Sequence, residues 1–551
     1  MGKEENRKRI PIGIENYKAL IGSCYYVDKT MILKDLVDSP LGTSYLFTRP
    51  RRFGKSLTLS MIQTFFEAGE DPAPYFADTA IMQADARYRS ETGVYPVIHL
   101  NFKDIKADCF DEFLSLMRMT FEKEKERHHV ASSSLPTKEP AIPEEQEKLP
   151  FWLSDYMGFL RSAYGEEVIV LVDEYDTPIE EAYRHGYYDQ CVSFFQKMLG
   201  SALKGNDSLR FSVLTGVLRI GKESLFSDLN NLVVNSTTDR GFGEYFGFTE
   251  EEVEKLLAYY GYSNRLDEIR AWYDGYYFGD ISVYNPWSVL CFIQNRGLPK
   301  AYWANTAENP FIGKLLSTSD LSNERNVKSL LEGTPIRMLL PSDVSFPDIG
   351  KDGTAIYSLL LSSGYLTAKS TGLLSEYELF LPNEEIKTLF RYEVLQRYAG
   401  KDLGWLSRYR ATLESGTEEE IGDFLKDKLL SLFSPFDFSS ERNYQALLLG
   451  FMAALYDDYL IQDEFNSGEG RADLILIPKN KGSYGYIYEL KQRKGPLSNK
   501  RLKSVSEKAL VQIEEKDYAE FLRKAGVRSY VLYGIAFAGK SVQVSKKEVQ
   551  G

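Results

Sequence analysis

The sequence predicts an α/β protein: a parallel sheet with helices on both faces, a mostly helical middle region, and a smaller C-terminal α/β unit. Three observations carry that expectation. Apolar, β-prone runs alternate with helical stretches through the first part of the chain, the pattern of strands buried on both faces. One run, Ser44-Tyr45-Leu46-Phe47-Thr48, leads through Arg49-Pro50-Arg51-Arg52-Phe53-Gly54-Lys55-Ser56 straight into a helical pattern with Leu57, Met61, Ile62, Phe65 and Phe66 on one side. Strand patterns then return after residue 421, around Asp473 and Glu489.

Taken in order, residues 10–43 read as a lead-in with a helix through Met31 to Val37. Strands follow over 44–48 and 95–102, with a helix over 108–127. Residues 131–150, rich in Ser, Pro and Glu, read as a solvated insertion or mobile loop. The run 168–172 is fully apolar and ends in Asp173-Glu174-Tyr175-Asp176. A helix over 188–203 leads to a strand over 209–214, which ends at Thr215-Gly216. Helical stretches with aromatic punctuation fill 250–375, and a winged-helix-like arrangement is one form open to them; the aromatics read as core. Beyond 421, a helix carries Glu441 to Leu455. Strands follow at 459–461, 470–478 and 484–490, then a helix over 504–518 and a strand over 529–534. The expected domains are 1–250, 251–420 and 421–551.

Composition narrows the function classes. A chain of 551 residues with 43% hydrophobic and 13% aromatic content can bury several cores. Its net charge of −13 confines any nucleic-acid contact to a local basic patch. The four cysteines are far apart with no C-x-x-C, so a zinc site or disulfide framework is not expected and a reducing cytoplasm fits. With four histidines, histidine-based metal sites are disfavoured; His128-His129, closing a charged helix, read as solvated. The charged N-terminus has no apolar signal core, and no run approaches the ~18–20 apolar residues of a membrane span, so no membrane partner is expected.

Two constellations carry chemistry. A tight turn from a buried strand into a helix aims backbone N–H groups and the positive helix end at one point, which suits a phosphate. Lys55 can then reach the β- and γ-phosphates of ATP, and Ser56 can hold Mg²⁺, although Arg49 stands where the first glycine of G-x-x-x-x-G-K-[ST] belongs. A lone Gly-Lys-Ser also opens ordinary helices. Here, however, Asp173 and Glu174 follow at the end of an apolar strand, where a triphosphatase places a metal-holding Asp and a water-activating Glu. The strand over 95–102 fits triphosphatases that insert a strand between phosphate loop and acidic strand. Thr215 sits where a polar γ-phosphate sensor lies, and Arg219 can bring positive charge to the phosphate. The basic Arg49-Pro50-Arg51-Arg52 turn is either solvated or a phosphate or nucleic-acid contact.

In the second constellation, Asp473 lies in one strand and Glu489-x-Lys491 in the next. Alternate strand residues share a face, so Glu489 and Lys491 point the same way. If the strands pair as a hairpin, Asp473 approaches Glu489. Two carboxylates can hold Mg²⁺ while the lysine positions water and steadies negative charge, the parts needed for phosphodiester hydrolysis. Glu441 can add a metal ligand. The basic residues at 492–494 and Lys500, Arg501 and Lys503 offer a phosphate-backbone contact or a solvated face; Gln512 and Tyr518 can touch substrate, support the lysine, or simply pack.

These residues resemble a known pair of families. Tyr26-Val27-Asp28-Lys29-Thr30, residues 49–57 from Arg49 to Leu57, Val172-Asp173-Glu174-Tyr175-Asp176, Leu214-Thr215-Gly216-Val217 and Tyr284-Asn285-Pro286 resemble the AAA-ATPase-like proteins, whose loop reads R-P-R-R-F-G-K. Gly470-Arg471-Ala472-Asp473 and Glu489-Leu490-Lys491 resemble the PD-(D/E)XK nuclease domain that accompanies them; Gln445 stands where related domains carry a His. The resemblance implies a P-loop triphosphatase sheet and a restriction-endonuclease-like α/β domain. It places ATP against Arg52, Phe53, Gly54, Lys55, Ser56, Leu57, Asp173, Thr215 and Arg219. Mg²⁺ falls to Ser56 and Asp173, and Mg²⁺ or Mn²⁺ to Asp473, Glu489 and Glu441. Catalysis falls to Glu174, Asp473, Glu489 and Lys491. It implies ATP binding and metal-dependent nucleic-acid cleavage. The leading reading of the chain is then an ATP-coupled nuclease acting on nucleic acid, DNA before RNA, in defence or mobile-DNA processing, and a homo-oligomer is compatible with it. A second reading is an ATP switch or scaffold whose nuclease-like domain binds without cutting.

Overall fold

The computed structural model describes residues 7–129, 139–218, 226, 229–303, 321–341, 353–390, 411–412, 416–432, 455, 458–467, 470–480, 483–493, 497–539 and 541–550. Two compact units form, one from Met1–Phe311 and Pro335–Ile386, the other from Ile312–Thr334 and Lys387–Gly551.

The first unit is built on a parallel sheet of β1 (Thr43–Thr48), β2 (Val97–Asn101), β3 (Val168–Asp173), β4 (Leu209–Gly216) and β5 (Leu232–Asn235), in the order β2-β3-β4-β1-β5. Every residue of β1, β3 and β4 is buried, as continuous apolar runs require of strands covered on both faces. Alternation still sorts the faces. Val168, Val170 and Val172 join a core with helices Phe110–His129, Trp152–Tyr164 and Tyr188–Leu203. On the other face Phe211 meets Phe66 of helix Lys55–Phe66, ring centroids 5.3 Å apart.

Three expectations for this unit are corrected. The strand between β1 and β3 is β4, not the strand near 95–102. That strand, β2, lies at the sheet edge, where its partly polar sequence leaves His99 half-buried and Asn101 exposed. His128 is not solvated: its Nε2 lies 3.1 Å from the Val97 carbonyl oxygen and 3.2 Å from Glu124, within a buried cluster that includes Arg127. The insertion is not wholly solvated either. Residues 139–150 pack down, with Arg118 donating to the carbonyls of Pro143 and Glu144 and with Leu149 fully buried.

Residues beyond 250 in this unit form helices Glu250–Tyr260, Leu266–Tyr273, Pro286–Gln294 and Ala355–Ser362 with two small antiparallel sheets. One pairs β6 (Tyr276–Phe278) with β7 (Ile281–Val283). The other orders β8 (Ile336–Leu339), β10 (Glu376–Phe380) and β9 (Thr367–Ser370). Asn285 caps helix Pro286–Gln294 by accepting from the Ser288 amide, with Pro286 at the first turn where its missing N–H costs nothing.

The second unit holds a five-stranded sheet of β11 (Tyr459–Ser467), β12 (Gly470–Pro478), β13 (Gly485–Gln492), β14 (Tyr530–Ala538) and β15 (Ser541–Val549) in sequential order. β13 and β14 pair in parallel and the other neighbours antiparallel. A parallel pair needs a crossover, and helix Asn499–Glu515 lies within it. That helix presses onto β14 at Gly534, where a Cβ would stand 2.1 Å from the Ser506 carbonyl oxygen. Among the described residues no helix is long and apolar enough to cross a membrane.

Candidate nucleotide and phosphodiester sites

The loop between β1 and helix Lys55–Phe66 is built by backbone geometry. Arg52 and Gly54 both take left-handed φ, 71° and 82°, turning the chain sharply before the helix begins. Among the described residues, none accepts a hydrogen bond from the amides of Arg51, Arg52, Phe53 or Gly54. A row of such amides ahead of a helix N-terminus is an anion cradle. Lys55 lies almost wholly buried beneath it, its Nζ donating to the carbonyl oxygens of Arg49 at 2.9 Å and Pro50 at 3.0 Å. Burial pulls the Lys55 pKa down, while Asp173, Glu174 and Asp176 oppose the fall. A buried ammonium satisfied by two neutral carbonyls fits an incoming phosphate.

Arg49, at the position of the missing first glycine, is neither a solvated turn residue nor a phosphate contact. It is fully buried. It donates to the Thr48 carbonyl at 2.9 Å and the Asn235 carbonyl at 2.8 Å, with Phe246 and Phe278 rings 5.0 and 4.9 Å away. Burial lowers its pKa to about 9. Arg52 is exposed, its guanidinium 4.3 Å over the Trp287 ring. The Phe53 side chain packs against Tyr276 and Phe278, leaving only its backbone to the cradle.

The acidic residues meet this loop at the C-terminal ends of β3 and β4. Thr215 Oγ1 donates to Asp173 Oδ1 at 2.6 Å, and Asn101 Nδ2 reaches Asp173 Oδ2 at 3.4 Å. Glu174 takes a left-handed φ of 53°, and its carboxylate accepts from Thr177 Oγ1 at 3.2 Å. Burial raises the Glu174 pKa and Lys55 counters it, a balance that suits a general base. Asp176, which the sequence reading quoted but gave no role, accepts from the amides of Val217 and Leu218 at 2.8 Å each. With the Tyr175 hydroxyl donating to the Leu218 carbonyl at 2.6 Å, it pins the chain leaving β4. Arg219 lies just outside the described residues. The Tyr-Val-Asp-Lys-Thr motif belongs to the scaffold: Asp28 accepts from Thr30 and Ala80, and Lys29 pairs with Glu252.

In the second unit, β12 and β13 do pair as a hairpin. Their register joins Leu474 to Tyr488, which sets Asp473 across from Glu489. The ladder opens there because Asp473 Oδ2 takes the Leu490 amide at 2.7 Å. Lys491 Nζ donates to Glu489 Oε1 at 2.8 Å, and Gln512 donates to the same oxygen from helix Asn499–Glu515. Tyr518 lies 3.4 Å from Gln512. Two carboxylates with hard oxygen donors fit a Mg²⁺ or Mn²⁺ ion. Glu441 and Gln445 lie outside the described residues, and among the described residues no group of three or more His, Cys, Asp or Glu could hold a metal. Lys503 is not a free member of a basic face: it pairs with Glu418 and donates to the Val544 carbonyl at 2.6 Å.

A parallel sheet with a Gly-Lys-Ser loop after one of its inner strands, β1, and acidic residues at the end of a nearby strand defines the P-loop triphosphatase class; the C-terminal mixed sheet fits a PD-(D/E)XK α/β domain. Comparison with known proteins agrees. Residues 11–226 match the family described as predicted AAA-ATPase, and residues 439–547 match the PD-(D/E)XK nuclease superfamily; the chain thus carries a predicted AAA-ATPase domain and a C-terminal domain of that superfamily. It is 28% identical over 556 residues to an uncharacterized protein in the vnfD 5′ region of Azotobacter chroococcum mcd 1, with 98% of each chain covered. Among solved structures, it aligns with a chain of Drosophila ORC bound to GC-rich DNA and Cdc6 at 8% identity. That alignment covers 76% of this chain and 59% of the other, at a TM-score of 0.22, too low to bear on fold or function.

Proposed function

We propose that the chain hydrolyses ATP at the loop around Lys55 and cleaves nucleic acid at the Asp473–Glu489–Lys491 cluster, with the first activity governing the second. The observation that carries the ATP reading is the buried Lys55 ammonium under a row of unengaged amides. The amides from Arg52 to Leu57, with Lys55, bind and orient the triphosphate. Ser56 and Asp173 would hold Mg²⁺, which supplies charge neutralisation at the phosphates when bound. Glu174 accepts the proton of the attacking water, while Thr215 fixes Asp173 and senses the γ-phosphate with Arg219.

In the second unit Asp473 and Glu489 would hold Mg²⁺ or Mn²⁺, joined by Glu441. Lys491 orients water and steadies the charge that develops on a phosphodiester. DNA is the substrate expected first, in defence or mobile-DNA processing. A homo-oligomer and a cytoplasmic setting complete the proposal; four free cysteines support the latter. The domain division 1–250, 251–420 and 421–551 belongs to the same proposal.

A second reading has its own support. Glu489 Oε1 is already engaged by Lys491 and Gln512, which suits a domain that binds phosphate without cutting. One experiment separates the two: cleavage of labelled single- and double-stranded DNA and RNA with Mg²⁺ or Mn²⁺, with and without ATP, beside Glu489→Ala and Lys55→Ala. Cleavage lost in Glu489→Ala and altered by ATP supports the coupled nuclease. ATP binding with no cleavage under either metal supports the switch.

A further inference from the structure

The phosphate loop is gripped from outside by residues far along the chain. Trp303 Nε1 donates to the Arg51 carbonyl at 3.1 Å. Trp287 lies under the Arg52 guanidinium at 4.3 Å. Pro50 fits against Gly364, where a Cβ would stand 2.8 Å from the Pro50 Cβ. Carbonyl capping and a cation–π contact each fix a loop residue's orientation.

Both indoles trace back to one side chain. Glu385 is fully buried. Its Oε2 accepts from Ser288 Oγ at 2.8 Å, in the first turn of the helix that carries Trp287. Its Oε1 accepts from the Trp303 backbone amide at 2.7 Å. A single carboxylate thus ties together the two segments that hold Arg51 and Arg52. Among the described residues it has no cationic partner, and a buried carboxylate in that position is costly and calls for a reason.

We propose that Glu385 is a positioning residue of the phosphate loop, holding Trp287 and Trp303 in place so that the amides of residues 51–54 stay aimed at one point. This rests on the reading of that loop as a nucleotide site. Both Glu385 oxygens act as acceptors, which is the bonding pattern of the ionised form. Protonation at Oε2 turns the Ser288 tie around, the carboxyl O–H then donating to a hydroxyl that can also accept, and leaves both ties, to Ser288 and to the Trp303 amide, without the strength a charged acceptor gives them. Burial raises the Glu385 pKa to about 7, so this exchange falls near neutrality. The titratable groups around it are Tyr273, Tyr276, Tyr302 and Cys291, all shifted upward by burial and uncharged at neutral pH; the nearby cation, Arg52, acts on Cys291.

The test uses the full chain and the variant Glu385→Gln, which copies the protonated form. First, hydrogen–deuterium exchange of the segment 49–57 is compared between the two proteins without nucleotide at about pH 8. Faster exchange in Glu385→Gln, with protection elsewhere retained, is expected. Equal exchange overturns the inference whatever the loop binds. Second, MgATP affinity is measured from about pH 6 to about pH 8.5. The ratio of the two affinities cancels the nucleotide's own protonation. Wild type is expected to bind about tenfold more tightly than Glu385→Gln at the alkaline end and equally at the acid end. A ratio flat with pH overturns the inference. Absence of MgATP binding by wild type overturns the nucleotide reading instead and leaves the exchange comparison to decide Glu385.

Discussion

Thr215 Oγ1 and Asp173 Oδ1 stand 2.6 Å apart, a hydrogen bond that joins the C-terminal ends of two neighbouring parallel strands. It orients a buried carboxylate to which, among the described residues, Asn101 is the other side-chain donor, at 3.4 Å. Thr215→Val keeps the shape and removes the donor. Loss of a hydrogen bond to a charged group costs about 1.5–3 kcal/mol. ATP turnover is therefore expected to fall about tenfold or more, with a smaller change in MgATP affinity; steady-state kinetics beside equilibrium binding checks both.

Lys55 separates function from stability. Its ammonium is buried with neutral acceptors, so the charge costs folding energy in the absence of phosphate. Lys55→Met is expected to abolish MgATP binding while leaving the thermal midpoint equal to or above that of wild type. Equilibrium dialysis and calorimetry on the same preparation provide the comparison.

Asp473 has two jobs that different substitutions can part. Asp473→Ala leaves the Leu490 amide without its acceptor and is expected to cost about 1–3 kcal/mol of stability. Asp473→Asn retains an acceptor oxygen, so the second unit should stay close to wild-type stability while metal-dependent cleavage is lost. Denaturant unfolding beside a cleavage assay distinguishes the pair.

Glu385 makes stability depend on pH in an unusual direction. Its pKa rises from 4.5 to about 7, chiefly through burial, so the folded state favours the protonated form. The contribution is fully present below the unfolded value of about 4.5 and is lost as pH climbs through about 7; the shift corresponds to about 3 kcal/mol. Relative to Glu385→Gln, wild type should therefore lose stability between about pH 5 and about pH 8. Parallel melting curves across that range would show a difference that widens with pH; a constant difference contradicts it.

The first sheet was readable because its strands are short, apolar and separated by helices, so burial on both faces follows from composition alone. The helix over 188–203 was legible for the same reason, its apolar residues recurring at helical spacing. Pairing order was not readable, since nothing local in 95–102 tells an edge strand from an inner one until His99 and Asn101 are seen half-buried and exposed. Asp473 and Glu489 could be placed opposite each other from strand alternation, yet the Gln512 contact needed the crossover helix to be laid on the sheet. Neither reading open for Arg49, a solvated turn or a phosphate or nucleic-acid contact, anticipates its burial, which the distant Asn235, Phe246 and Phe278 make tolerable. Asp176 and Trp303 were missed for a related reason. Their partners are backbone groups of remote loops, which leave no periodic signal.

Arg49 also changes what kind of receptor the loop is. A turn that begins with glycine must lose conformational freedom when its ligand arrives, whereas here a side chain locked between Asn235 and two aromatic rings has already fixed the entrance. The entropy of ordering is met during folding instead of during association. The cradle then resembles a rigid mould more than a closing hand, and selection among anions falls to shape complementarity before any loop movement begins.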